Sequence, residues 1–262
     1  MNRIDLRFKI LREEGRKAMI PFIVAGDPEI ETTIELVEAM DEAGADIIEL
    51  GIPYSDPLAD GPIIQASSTK ALLNGVKIPD IMEAVHKIRE KSDVPLIYLV
   101  YYNSVFRYGI ERFMQEAKKA GIDGLIIPDL PLEEREELMK IAGNYEVYLI
   151  PLVAPTSQER IKKICENGKG FVYCVSTTGV TGVRQDIETN IKDYMDIISK
   201  YTDMPKALGF GISDSEMAKK FKPYCDGIIV GSAIVKKIDE GKNKTEIIDN
   251  VKKFVKEIKD VL

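Results

Sequence analysis

The stretch Thr32-Thr-Ile-Glu-Leu-Val-Glu-Ala-Met-Asp-Glu-Ala-Gly-Ala-Asp-Ile-Ile-Glu-Leu50 contains the unit that repeats along this chain. Its first part is helix-periodic through Ala43 and stops at Gly44, a residue suited to the left-handed turn past a helix end. Its last part, Asp46–Leu50, is an apolar run of strand length. Similar runs occur at Met19–Ala25, Leu96–Tyr101, Gly124–Ile127, Val147–Pro151, Phe171–Val175, Lys206–Phe210 and Gly227–Val230, very roughly 30 residues apart. They are continuously apolar rather than alternating, as expected of parallel strands covered on both faces. Helix-period segments lie between them. Thr156-Ser-Gln-Glu159 reads as a capping box opening a helix that runs to Gly168. Ile247, Val251, Phe254, Ile258 and Val261 share one face of a terminal helix. The whole predicts an α/β fold, a closed (β/α)8 TIM barrel in one domain over residues 1–262. Arg3–Glu13 reads as an extra N-terminal helix closing the barrel bottom. Gly61–Gly75 reads as an insert after the second strand, with its own helix.

Composition narrows the function. The chain carries 36 Lys+Arg against 43 Asp+Glu, a net charge of −7, with 45% apolar residues. That acidity argues against nucleic acid, whose partners gather Lys and Arg into patches. No apolar run reaches the ~18 residues of a membrane span, and the N-terminus has no signal-peptide core. The three cysteines (Cys165, Cys174 and Cys225) are widely spaced and form no CxxC, consistent with a reducing cytoplasm. The only histidine, His86, sits in a charged helical stretch, so a Ser-His-Asp triad or a multi-His metal site is disfavoured. Acid–base work then falls to carboxylates, Lys or Tyr.

In a barrel of this kind, functional groups stand at the C-terminal strand ends. Glu49 lies inside the apolar run Asp46–Leu50, so it faces either the barrel mouth or the helix layer. An apolar surround raises a carboxyl pKa, which suits a group that both gives and takes protons. The alternative is a buried glutamate paired with Lys or Arg. Asp60 ends Gly51-Ile-Pro-Tyr-Ser-Asp-Pro-Leu-Ala-Asp60, a stiff loop that either presents a carboxylate to a ligand or simply turns. Asp129, in Ile127-Pro-Asp-Leu-Pro131, is open in the same way. Glycines mark the ends of the last three strands, in Thr178-Gly-Val-Thr-Gly182, Gly209-Phe-Gly-Ile-Ser213 and Val230-Gly-Ser-Ala233. Such loops hold phosphate esters through backbone N–H groups at a short helix, which Ser232 is placed to cap. Phe22, Tyr101, Tyr102 and Tyr173 fall at strand ends, either as core or as an apolar wall for a flat aromatic ligand.

These motifs resemble the tryptophan synthase alpha subunit family along the whole chain. The resemblance rests on Pro21-Phe-Ile-Val-Ala-Gly-Asp-Pro28, Ile48-Glu-Leu-Gly-Ile-Pro-Tyr-Ser-Asp-Pro-Leu-Ala-Asp-Gly-Pro-Ile-Ile-Gln65, Ser176-Thr-Thr-Gly-Val-Thr-Gly182 and the two later glycine motifs. It implies a carbon–carbon lyase splitting indole-3-glycerol phosphate into indole and glyceraldehyde 3-phosphate. It assigns catalysis to Glu49 and Asp60, and phosphate binding to Thr181, Gly182, Gly211, Gly231 and Ser232. The aromatic pocket falls to Phe22, Leu99, Tyr101, Leu125, Tyr173 and Ile229. One departure is Thr177-Thr178, where some members carry Arg-Ala. The resemblance further implies no metal and no cofactor in this chain. It implies an alpha2beta2 complex with the tryptophan synthase beta subunit, which holds pyridoxal phosphate. Partner binding is expected to close the loops Pro53–Pro62 and Thr177–Arg184 over the mouth. Rival readings are another phosphate-ester barrel (an isomerase, an epimerase or indole-glycerol-phosphate synthase) or a non-catalytic phosphate-binding regulatory subunit. The synthase needs a lysine near a strand end, whereas Lys206 starts its strand.

Overall fold

The computed structural model describes residues 1–155, 160–175, 184–209 and 211–262, with residues 184–190 described by their backbone alone. The strands are β1 (Ala18–Val24), β2 (Ile48–Gly51), β3 (Leu96–Leu99), β4 (Gly124–Ile126), β5 (Tyr148–Leu149), β6 (Leu152–Val153), β7 (Val172–Val175), β8 (Lys206–Gly209) and β9 (Gly227–Val230). They pair in the order β5-β4-β3-β2-β1-β9-β8-β7-β6, every ladder parallel. The run expected at Val147–Pro151 contains β5 alone; β6 lies just beyond it, the strand being split at Ile150-Pro151, where proline has no N–H to donate. Hydrogen bonding continues across the split. Ile150 N–H donates to the Leu125 carbonyl at 2.9 Å, and Tyr173 N–H donates to the Pro151 carbonyl at 2.8 Å. The broken strand thus joins β4 on one side to β7 on the other, which closes the barrel.

Period-two alternation sorts each strand into two layers. Outward residues such as Ile48, Leu50, Tyr98 and Cys174 pack against the helices. Inward residues such as Ile20, Ile47, Ile97, Ile126 and Phe171 fill the barrel and meet Ile4, Phe8 and Leu11 of α1 (Arg3–Glu14). That helix begins where the Asn2 side chain accepts the Ile4 N–H at 2.9 Å and ends at Gly15 with φ 68°. As expected, it plugs the bottom. The second expected insertion is α3 (Pro62–Leu73), after β2.

Between the strands run α2 (Ile30–Glu42), α4 (Ile78–Arg89), α5 (Tyr102–Tyr108), α6 (Ile110–Ala120), α7 (Arg135–Asn144), α8 (Ile161–Cys165), α9 (Arg184–Ser199), α10 (Ser215–Phe221) and α11 (Ser232–Glu240). The chain ends in α12 (Lys244–Lys259). α8 stops short of the expected Gly168, since Asn167 takes a left-handed φ of 62°. The capping box at Thr156–Glu159 lies outside the described residues.

At the barrel bottom one rule repeats. An aspartate just before one strand accepts a backbone N–H near the start of its neighbour. Asp46 takes Met19 N–H at 2.7 Å, Asp123 takes Leu96 N–H at 2.9 Å and Asp226 takes Lys206 N–H at 2.9 Å. Cations complete the first two sites. Lys259 and Arg7 flank Asp46 at 2.5 and 3.0 Å, while Arg89 and Arg3 each reach Asp123 at 3.0 Å.

Candidate active site

Glu49 resolves its ambiguity inward. In the parallel register it stands beside Phe22 and Ile97, while its neighbours Ile48 and Leu50 turn out into the helix layer. The side chain is 0% exposed, and neither carboxylate oxygen has a hydrogen-bond partner among the described residues. Burial, and next the charge of Asp60, push its pKa up to about 8. A proton is therefore retained near neutral pH, on a group with no cation beside it among the described residues.

Asp60 enters the mouth on the loop after β2, immediately before the Gly61 cap of α3. Burial raises its pKa, and a hydrogen bond with Tyr101 opposes that rise. The Tyr101 hydroxyl also accepts the Ala59 N–H at 2.9 Å, so one phenol holds two consecutive residues of the loop. The ring of Tyr101 stacks on Tyr54 with centroids 4.8 Å apart and planes 18° from parallel. Asn103 Nδ2 in turn donates to the Tyr54 hydroxyl at 3.1 Å. Asp129 serves elsewhere. Its carboxylate accepts Tyr102 N–H at 2.8 Å, occupying the first N–H of α5.

The structure brings most of the residues expected to form an apolar wall to the barrel interior. Leu99, Tyr173 and Ile229 belong to the interior cluster, and Phe22 joins Leu99 in a smaller cluster above it. Leu125 does not. It pairs with Tyr98 and Leu149, both outward, and packs in the helix layer. The inward residue of β4 is Ile126, beside Leu99. Leu152 is a second interior residue that the sequence reading missed. The short run Gly124–Ile127 fits either alternation; only its pairing with β3 decides between them. Tyr173 faces both carboxylates, and burial followed by their charges raises its pKa well above the usual range.

At the far side of the mouth, Gly231 is the N-cap of α11 and Ser232 its first helical residue. The capping expected of Ser232 thus falls to a residue with no side chain, and no side-chain bond covers that helix start. Gly231 lies against Phe22, whose Cδ1 would sit 3.3 Å from an added Cβ. Gly211 follows the neighbouring strand with φ 80°, a conformation natural to glycine. Thr181, Gly182, Phe210 and the Thr177-Thr178 pair lie outside the described residues. Lys206 sits at the bottom, beside Asp226, and His86 is exposed near the end of α4.

A parallel eight-stranded barrel with two pKa-raised carboxylates, apolar and aromatic residues lining its interior and an open helix start fits the class of barrel enzymes that act on small ligands. A family model described as tryptophan synthase alpha chain matches residues 8–262. The chain is 68% identical over 262 residues to the tryptophan synthase alpha chain of Thermoanaerobacter sp. (strain X514), covering 100% of both. It is 61% identical to that of Clostridium kluyveri, again over 100% of both. It superposes on the crystal structure of the tryptophan synthase alpha chain from Legionella pneumophila with a TM-score of 0.92 and 31% identity, covering 100% of this chain and 97% of that one. The chain belongs to the tryptophan synthase alpha chain family, the lyases that cleave indole-3-glycerol phosphate in tryptophan biosynthesis.

Proposed function

We propose that this chain carries out that cleavage with Glu49 as the acid and then the base, and with Asp60 as the partner of the indole nitrogen. The observation that carries the reading is the buried, unpartnered Glu49 carboxyl beside Asp60. Protonated Glu49 gives its proton to indole C3, leaving positive charge on the ring. Asp60 accepts the indole N–H and stabilises that charge. The Glu49 carboxylate then removes the proton from the glycerol hydroxyl next to the ring. As the aldehyde forms, the carbon–carbon bond breaks and its electron pair restores the aromatic ring. Glu49 ends protonated, ready for another turnover. Acid–base steps of this kind contribute on the order of 10²–10⁴-fold.

Ring protonation supplies the electron sink, so the step calls on no cofactor from this chain. Pyridoxal phosphate belongs to the beta chain. Phe22, Leu99, Tyr173 and Ile229, with the interior residues Ile126 and Leu152, would flank the indole. The uncapped start of α11 at Gly231 and Ser232, with Gly211 beside it, would take the phosphate through backbone N–H groups and the helix dipole. Anchoring there orients both reacting atoms.

The partner is the beta chain. A groove of about 360 Å³ opens beside the mouth, lined in part by Pro53, Tyr54, Leu72, Asn103 and Arg107. Leu58, Leu73 and Phe106 on the same loop and helices are 91, 82 and 63% exposed, an apolar surface suited to a docked protein. The Leu58 loop leads to Asp60, so docking would order the catalytic carboxylate. The test is to supply purified chain with indole-3-glycerol phosphate, alone and with the beta chain. Indole and glyceraldehyde 3-phosphate in equal amounts are expected, faster with the partner. Absence of cleavage in both samples would overturn the reading.

A further inference from the structure

Asp60 goes where α3 goes. Asp60 and Gly61 lead straight into Pro62, and the Gln65 side chain donates to the Asp60 carbonyl at 2.7 Å. A shift of α3 on the barrel rim would therefore carry the carboxylate with it. The seat of α3 is narrow. Its apolar part is the small cluster in which Ile63, Ile64 and Ala71 meet Phe22, Val24 and Val235.

The polar part of the seat centres on the loop after β1. Asp27 is 1% exposed, and its carboxylate accepts a hydrogen bond from the equally buried Ser67 hydroxyl of α3. At the end of the same helix, Asn74 Nδ2 donates to the Pro28 carbonyl at 2.6 Å. Gly26 packs so closely on Val76 that an added Cβ would stand 2.6 Å from its Cγ2. The loop is itself tied down, since Gly26 N–H donates to Thr33 Oγ1 at 2.9 Å. Near Asp27, Lys70 of α3 also pairs with Asp239 of α11. Burial raises the Asp27 pKa, while Ser67 and Lys70 pull it down. Losing the Ser67 donor would leave a buried acceptor unpaired, and α3 would relax to relieve it.

We propose that Asp27 and Ser67 are positioning residues, which pin α3 to the loop after β1 and thereby set where Asp60 stands in the mouth. The inference rests on the reading of Asp60 as the partner of the indole nitrogen. Its test is a double-mutant cycle in the full chain, assayed alone and with the beta chain. Ser67→Ala is expected to lower kcat on the order of ten-fold with KM nearly unchanged, because a small misplacement of a reacting group is costly. In an Asp60→Asn background the same change should cost nothing further. Asp27→Ala should reproduce the loss, and Asp27→Asn, which keeps an acceptor oxygen for Ser67, should restore most of the turnover. Equal fold-losses from Ser67→Ala in both backgrounds would overturn the proposal, since the change would then act independently of Asp60. Near-native turnover by Asp60→Asn alone would instead remove Asp60 from the mechanism, and the positioning role with it.

Discussion

Asp46 and Glu49 enter the barrel three positions apart on one short segment, both buried, and live in opposite surroundings. Asp46, at the bottom, accepts Met19 N–H and is flanked by Lys259 and Arg7. Glu49, at the level of Phe22, has neither a donor nor a cation among the described residues. A carboxylate supplied with donors and cations fastens strands to helices. One deprived of them keeps a proton that it can lend. The barrel separates the two tasks by height, tying its bottom and leaving its mouth chemically unsatisfied.

The comparison breaks first at Glu49. Glu49→Gln is expected to fold normally and to lose at least roughly 10²-fold in indole release, because the amide matches the shape but has no transferable proton. Near-native turnover in a well-folded variant would dissolve the contrast. Its counterpart is Asp46→Asn, expected to leave the kcat of folded protein nearly unchanged while destabilising the chain by about 3–5 kcal/mol, as happens when one partner of a buried ion pair is removed. Denaturant titration checks it. A variant as stable as the parent would mean that Lys259 and Arg7 find water or another acceptor at no cost.

A pH series sharpens the same contrast. The Glu49 pKa rises from an ordinary 4.5 to about 8 on folding. Between those values the folded state holds a proton that the unfolded chain has lost. The stability this confers is full below about pH 4.5 and drains as pH rises through about 8, at up to about 1.4 kcal/mol per pH unit. Glu49→Gln should remove that slope, so the two stability curves should converge toward acid pH. Turnover should decline above about pH 8, where the acid is spent before the substrate arrives. Parallel stability curves for the two proteins from pH 5 to 9 would mean that water reaches the carboxylate.

How much of this was legible in the sequence follows from the same physics. Strand positions were readable because parallel strands buried on both faces leave unbroken apolar runs. The run Val147–Pro151 stops short of Leu152–Val153, since Pro151 interrupts a ladder whose partners are distant in the chain. Glu49 was conspicuous as a charge inside an apolar strand, but its direction waited on the register. Leu125 was misplaced for the same reason. A strand as short as Gly124–Ile126 carries no alternation of its own, and one step in register exchanges Leu125 for Ile126. Asp129 looked equal to Asp60 in the sequence. Only three dimensions reveal that Tyr102 N–H already occupies it.

The smallest expected effect lies across the mouth from Glu49. Ser232 opens α11 behind a glycine cap, so an anion bound there would meet backbone N–H groups whatever the side chain at this position. Ser232→Ala removes one hydroxyl and leaves those groups and the helix dipole in place. A single hydrogen bond contributes about 0.5–1.5 kcal/mol net, which converts to roughly two- to twelve-fold weaker binding of a phosphate ester. The loss should appear in KM for indole-3-glycerol phosphate and in competition by glycerol phosphate, with kcat nearly constant, since a hydroxyl bound to the phosphate would touch no reacting atom. A collapse of kcat at saturating substrate would place Ser232 in the chemistry with Glu49. A loss of binding well beyond twelve-fold would show the backbone cradle to be minor, with the phosphate held by side chains instead.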